Sequence, residues 1–264
     1  MGAAVHRAAH QLLEGGRVFS DPLALRILGP GAEAVRAAAQ DPARTGLRLF
    51  IAFRSRFAEE ALERVFARGV RQLVVLGAGL DTYAYRNPLG PDLRIFEVDH
   101  PATQAWKRRR LAETGIPVPG NLAYVPVDFQ RDDLAACLAA AGFDGARASF
   151  FSWLGVVPYL SEAAVFAILA GIAALPGGAH VVFDYGNPAG AGDGGREELA
   201  RRVAAVGETL RSHFETEDLH ARLAAAGFLT IEDLGPAGMR ERFLPGRAGT
   251  GPDRGGHVLF ASTG

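Results

Sequence analysis

The residues best suited to chemistry lie in LVVLGAGLDTYAYR, residues 73–86, and in the acids that follow it. A short apolar run ends in Gly77-x-Gly79, a tight turn where missing Cβ atoms let backbone N–H groups and a ligand approach. Alone this is a weak signal, because a strand-to-helix turn with no ligand also explains it. Asp99 stands 20 residues after Gly79 and closes the next apolar run, 93–99. An acid there can accept hydrogen bonds from both hydroxyls of a ribose. Asp128 closes a third run, 122–128, and Asp128-Phe129 is placed to meet an adenine. The carboxylate would accept from the exocyclic amine and the following N–H would donate to a ring nitrogen. The alternative for any one of these acids is a helix N-cap.

Thr82 occupies the place of the third glycine of a dinucleotide fingerprint, so the pyrophosphate cradle is incomplete. That argues against a nicotinamide-dependent oxidoreductase, the rival enzyme class. The ligand reads as a nucleoside without a cradled pyrophosphate, and S-adenosylmethionine fits that description. Ligands of open α/β sheets bind at the carboxyl ends of the strands, where these residues fall.

The elements that position them alternate. Asp21-Pro22 is expected to cap a short helix that Gly29-Pro30 ends, and apolar residues from Leu47 to Arg68 recur at helical spacing. Strands are predicted at 72–77, 93–99, 122–128, 148–154 and 179–185, with helices at 101–114, 131–141 and from Ser161 to Leu175. Residues 186–196 read as loop, 197–210 and 217–226 as helix, and 228–234 with 256–261 as a final strand pair. LAAAGF occurs at 138–143 and 223–228, a helix ending in which glycine turns the chain and phenylalanine docks back. Alternation of this kind predicts an α/β fold with a mostly parallel sheet.

Composition narrows the function classes. The chain has 264 residues, 28 Lys+Arg against 29 Asp+Glu, and a net charge of −1, which argues against a nucleic-acid partner. Its single cysteine, Cys137, excludes an intrachain disulfide and a cysteine-rich zinc site, and reads as inert core. There is no membrane-length apolar run and no signal-peptide core, so a cytoplasmic protein with no membrane partner is expected. The run from Lys107 to Arg110 reads as a solvated helix face. The 33 glycines exceed the roughly 18 of average composition, and most fall at predicted element ends.

FRSRFAEEAL (53–62), GVRQLVVLGAGLDTYAYR (69–86), FEVDHPATQAWKRRRL (96–111), VPVDF (125–129) and VPYL (157–160) resemble the leucine carboxyl methyltransferase-like family of class I S-adenosylmethionine-dependent methyltransferases. GETLRSHFETEDLHARLAAAGF (207–228) is similar to that family's C-terminal region. The resemblance implies a Rossmann-like, seven-stranded, mostly parallel sheet with an antiparallel last strand. It implies an N-terminal helical lid over 1–68, a methyltransferase domain over 69–264 and a cap-like insertion near 186–215. It also implies S-adenosyl-L-methionine as cofactor, with Arg54 on its carboxylate, Gly77, Ala78 and Gly79 along its methionine portion, Asp99 at the ribose, and Asp128-Phe129 at the adenine. Leu154 stands where many relatives have glutamate, and Tyr83 where many have arginine.

For the methyl acceptor, a small molecule taking the methyl on oxygen is expected. A protein C-terminal carboxylate, a carbon or nitrogen acceptor, and a non-catalytic cofactor-binding scaffold are the alternatives. His213 is the preferred general base and Tyr159 a second catalytic candidate. Trp153, at the end of the fourth strand, is expected near the methyl donor or in packing. His100 is expected at the cofactor edge, and residues 186–215 as a closing lid.

Overall fold

The computed structural model describes residues 2–29, 35, 44–129, 131–188, 211–246 and 255–264. Its seven strands form one mixed sheet in the order β3-β2-β1-β4-β5-β7-β6. They are β1 (Gln72–Leu76), β2 (Arg94–Asp99), β3 (Leu122–Pro126), β4 (Ser149–Trp153), β5 (Ala179–Asn187), β6 (Thr230–Leu234) and β7 (Gly255–Ser262). Strands β1, β2 and β3 pair in parallel, whereas β7 runs antiparallel to both β5 and β6. The chain divides into two compact units, Met1–Phe150 and Phe151–Gly264.

The first unit opens with helices α1 (Gly2–Leu13), α2 (Ala24–Leu28) and α3 (Thr45–Phe66). Ala4, Val5, Ala8 and Ala9 recur at helical spacing and bury α1 against α2 and α3. Leu80 and Leu111 join the same apolar cluster, which ties the helices to the chain after β1. α2 ends at Gly29 with φ +56°, where a Cβ would strike the Arg110 guanidinium at 1.8 Å. Then β1, buried along its whole length, enters the short helix α4 (Tyr83–Arg86). β2 leads to α5 (Pro101–Glu113), and β3 to α6 (Leu134–Ala140).

The basic run on α5 is only half a solvated face. Arg108 and Arg109 are exposed, but Lys107 is 1% exposed and lies 2.9 Å from the carboxylate of Glu97 on β2. Arg110 turns inward and donates to the Leu28 carbonyl at 2.8 Å. Lys107 was expected in solvent because its neighbours are basic. Its ammonium instead lies 5.2 Å from the Tyr85 ring centre, and Glu97 supplies the counter-charge.

In the second unit, a 3₁₀ turn at Val157–Tyr159 precedes α7 (Glu162–Ala173), whose N-cap Ser161 accepts from Ala164 N–H. After β5 come α8 (Thr216–Ala225), β6, α9 (Pro236–Phe243) and β7. Both LAAAGF endings fold alike. Gly142 and Gly227 take φ +88° and +107°, and Phe143 and Phe228 donate back to Leu138 and Leu223 at 3.0 and 3.1 Å. α9 is absent from the sequence reading, and the helix expected at 197–210 lies outside the described residues. Cys137 is half-buried rather than core. Among the described residues no helix is long and apolar enough to cross a membrane, and no cluster of His, Cys, Asp and Glu could hold a metal.

Candidate functional site

The glycine turn grows out of the β1–β2 ladder. Gly77 and Ala78 N–H donate to the Val98 carbonyl at 2.8 and 3.1 Å, extending the pairing past the end of β1. The chain then reverses, with Asp81 N–H on the Ala78 carbonyl at 2.7 Å. Gly77 has φ +68° and Gly79 φ +43°, a left-handed conformation that side chains with a Cβ resist.

Asp99 holds the turn from the neighbouring strand. Its Oδ2 accepts from Gly79 N–H at 2.5 Å and its Oδ1 from His100 N–H at 2.7 Å. An ionised carboxylate offers about four lone-pair sites, so each oxygen of this half-buried group retains acceptor capacity. The N-cap alternative fails for Asp99. His100 is the N-cap of α5, with its Nδ1 accepting from Ala102 N–H at 3.2 Å. It fails for Asp128 as well, because Asp133 caps α6 through Ala135 and Ala136 N–H. Asp128 and Phe129 are half-buried, and the Asp99 carbonyl accepts from Val127 N–H at 2.9 Å, which brings the end of β3 beside Asp99. Gly77, Ala78, Gly79, Asp99 and His100 are thus gathered at the carboxyl ends of β1 and β2, with Asp128 next in line. Arg54 lies on α3, 8% exposed, its guanidinium 5.5 Å from the Phe50 ring centre.

A second network backs the turn, and the sequence reading missed it. Arg7 on α1 donates to the Leu80 carbonyl at 2.5 Å and pairs with Asp21 at 2.6 Å. Thr82 donates its hydroxyl to Asp21 Oδ2 at 2.7 Å. Arg86 donates through Nε to Thr82 Oγ1 and grips Glu59 on α3 with both Nη atoms. Burial pushes the Glu59 carboxyl up, while the Arg86 hydrogen bonds pull it down without cancelling the rise. Asp21 was expected to cap α2. Instead one oxygen makes a local turn with Leu23 N–H and the other is committed to Thr82. The legible signal was Thr82 and Arg86 at i,i+4. Tyr83 is buried, its ring centre 5.7 Å from the Arg86 guanidinium, and burial raises its phenol well above the usual range.

Three candidates belong to the second unit. Trp153 is fully buried, and its Nε1 has no hydrogen-bond partner among the described residues. Tyr159, 38% exposed, lies in the 3₁₀ turn, and His213 is exposed in the segment before α8. That segment is tied down on both sides. Arg211 N–H donates to the Pro158 carbonyl at 2.7 Å, Ser212 Oγ to the Val157 carbonyl at 2.8 Å, and Phe214 N–H to the Gly186 carbonyl at 3.0 Å. His213 is thereby held between the Tyr159 turn and the end of β5. Most of the expected 186–215 lid lies outside the described residues.

The fold is an α/β one in which the glycine turn and its acids lie at the end of β1, where the strand order reverses. The family model for leucine carboxyl methyltransferase matches residues 1–173, and the chain belongs to that family. It is 34% identical over 200 residues to YktD of Bacillus subtilis, a protein named as an S-adenosyl-L-methionine-dependent methyltransferase; the match covers 74% of this chain and 66% of YktD. A similarly named Saccharopolyspora erythraea protein is 40% identical over 46% of this chain and 42% of its own. The chain therefore matches between about two fifths and just under two thirds of these relatives' lengths. Among solved structures, a DUF574 family protein from Streptomyces avermitilis superposes with TM-score 0.61 at 17% identity, covering 100% of this chain and 97% of that one. Magnesium protoporphyrin IX methyltransferase from Synechocystis, solved with bound S-adenosylhomocysteine, superposes with TM-score 0.52 at 12% identity, covering 91% and 98%. At these identities the two structures speak to the fold alone.

Proposed function

We propose that the protein is an S-adenosylmethionine-dependent methyltransferase whose acceptor is a small molecule methylated on oxygen. The observation that carries the cofactor assignment is the Asp99 carboxylate clamping Gly79 while keeping acceptor capacity. The space over the turn suits a ligand: a Cβ built on Gly79 meets only the Gly77 carbonyl oxygen, at 3.8 Å. Asp99 would accept from the ribose hydroxyls, with His100 beside it, and Asp128-Phe129 would meet the adenine. Gly77, Ala78 and Gly79 would border the methionine portion, and Arg54 would take its carboxylate through a two-pronged fork.

Bound cofactor supplies an electrophilic sulfonium methyl. The protein's part is alignment and water exclusion. For the acceptor we assign Tyr159 to orient it and His213 to take its proton. Titration calorimetry with S-adenosylmethionine, its demethylated product and NAD tests this reading. Binding of the first two supports it, and binding of NAD alone contradicts it.

A further inference from the structure

Two neighbouring residues of the glycine turn are held from different elements. Gly79 N–H donates to Asp99 Oδ2 on β2 at 2.5 Å. One residue on, the Leu80 carbonyl accepts from Arg7 Nη2 on α1, also at 2.5 Å and across 73 positions of sequence. A carboxylate takes the N–H and a guanidinium takes the carbonyl, so each polar group meets the charge that strengthens its hydrogen bond. The Leu80 side chain is buried in the apolar cluster that holds Ala4, Val5, Ala8 and Ala9 of α1. Helix α1 therefore meets Leu80 twice, at its carbonyl and in that cluster.

Arg7 is itself fixed in place. Its Nε lies 2.6 Å from Asp21 Oδ2, and both side chains are buried. The same oxygen accepts from the Thr82 hydroxyl at 2.7 Å, and Arg86 Nε stands 3.4 Å from the other. Gln11, one turn further along α1, donates to the Arg7 carbonyl at 3.1 Å and accepts from Asp21 N–H at 3.0 Å, which ties Asp21 to α1 through its backbone as well. A carbonyl needs no guanidinium, since a neutral donor satisfies it. A buried ion pair also adds little net stability over apolar residues of similar volume. What the pair adds is direction. Gly79, at φ +43°, has the backbone freedom of glycine. Fixing the N–H before its Cα and the carbonyl after Leu80 restrains the peptide between them.

We propose that Arg7 is a positioning residue of the cofactor site, so that docked α1 and bound cofactor stabilise one another. Arg7 acts through the Leu80 carbonyl on the turn whose Gly79 N–H shares Asp99 with the ribose. The proposal rests on the cofactor reading above and lies wholly within the first unit. Its two halves are linked: if docked α1 raises cofactor affinity by a given factor, bound cofactor favours docked α1 by the same factor. Asp21 acts one step further back, holding Arg7 in line with the carbonyl.

The test separates positioning from simple support of the fold. Arg7→Met leaves Asp21 buried without its nearest counter-charge, and its denaturation midpoint should fall. Arg7→Met combined with Asp21→Asn removes both charges and should regain most of that midpoint. Titration calorimetry should nonetheless find the double variant binding S-adenosylhomocysteine roughly tenfold more weakly than the wild type, because the Leu80 carbonyl is still unheld. In the wild type, saturating S-adenosylhomocysteine should slow hydrogen–deuterium exchange of the α1 amides roughly tenfold, the same factor read from the other side. Wild-type affinity in the double variant, or α1 exchange unmoved by saturating S-adenosylhomocysteine, overturns the proposal and leaves the cofactor reading standing. No binding of S-adenosylhomocysteine to the wild type overturns the cofactor reading and the proposal with it.

Discussion

Thr82 donates its hydroxyl to the Asp21 carboxylate at 2.7 Å, and both residues are wholly buried. Thr82 occupies the position where a dinucleotide-binding turn carries its third glycine. Here a side chain is needed, because the turn is fastened to the N-terminal helices through Asp21, Arg7 and Arg86. Removing Asp21 leaves the Arg7 guanidinium, 7% exposed, without its counter-charge. Asp21→Ala should cost about 3–5 kcal/mol by chemical denaturation, and Thr82→Val about 1–3 kcal/mol. Denaturation midpoints unchanged in both would remove the network from the account.

Gly79→Ala isolates the turn itself. No atom blocks the new methyl, so the cost is backbone strain at φ +43°, about 1–2 kcal/mol. Cofactor affinity should fall further than stability does, because the methyl enters the space where the ligand approaches. An affinity loss no greater than the loss of stability would place the ligand elsewhere.

Lys107 and Glu97 give a two-sided test of the buried pair. Each is 1% exposed. Burial pushes the Glu97 carboxyl up, and Lys107 draws it back without cancelling the rise. Lys107→Met should destabilise by about 3–5 kcal/mol, whereas the double variant with Glu97→Leu should recover most of that loss. Additive losses in the double variant would mean that the two charges do not interact.

Acid should loosen the N-terminal helices. Burial lowers the pKa of His10; Glu14 opposes that and Arg48 adds to it. Burial, then Arg44 and Arg48, lower that of His6. His10 Nε2 accepts from Phe19 N–H at 3.3 Å, a bond that protonation abolishes. The unfolded chain takes up these protons near 6.5 and the folded chain only below that. Stability is therefore full above 6.5 and falls as pH drops through that value. Urea midpoints measured across this range should decline on acidification, and less steeply in His10→Gln. A flat wild-type profile contradicts the assignment.

The sheet was legible in the sequence because its strands are short apolar runs punctuated by glycine, and Gly69, Gly142 and Gly227 do end helices with positive φ. The Gly77–Gly79 turn and Asp99 were legible because spacing alone places an acid opposite a glycine turn. Partners distant in the chain were not. Helical spacing puts Lys107 on the buried face with Gln104 and Leu111, but nothing local names Glu97 on β2 as its counter-charge. Asp21 reads as a cap until folding brings it, with Arg7 and Glu59, to Thr82 and Arg86. The 3.0 Å contact of Asp233 on β6 with His257 on β7 depends on cross-strand register, which hydrophobic periodicity does not specify.

The central claim is that Asp99 holds both the glycine turn and the ribose of S-adenosylmethionine. The most direct measurement is the affinity of S-adenosylhomocysteine for the wild-type chain and for Asp99→Ala, by titration calorimetry. The wild type should bind, and the variant should bind roughly tenfold more weakly or worse, since hydrogen bonds to the carboxylate and the fixed turn are lost together. Equal affinity in the two proteins would contradict the account.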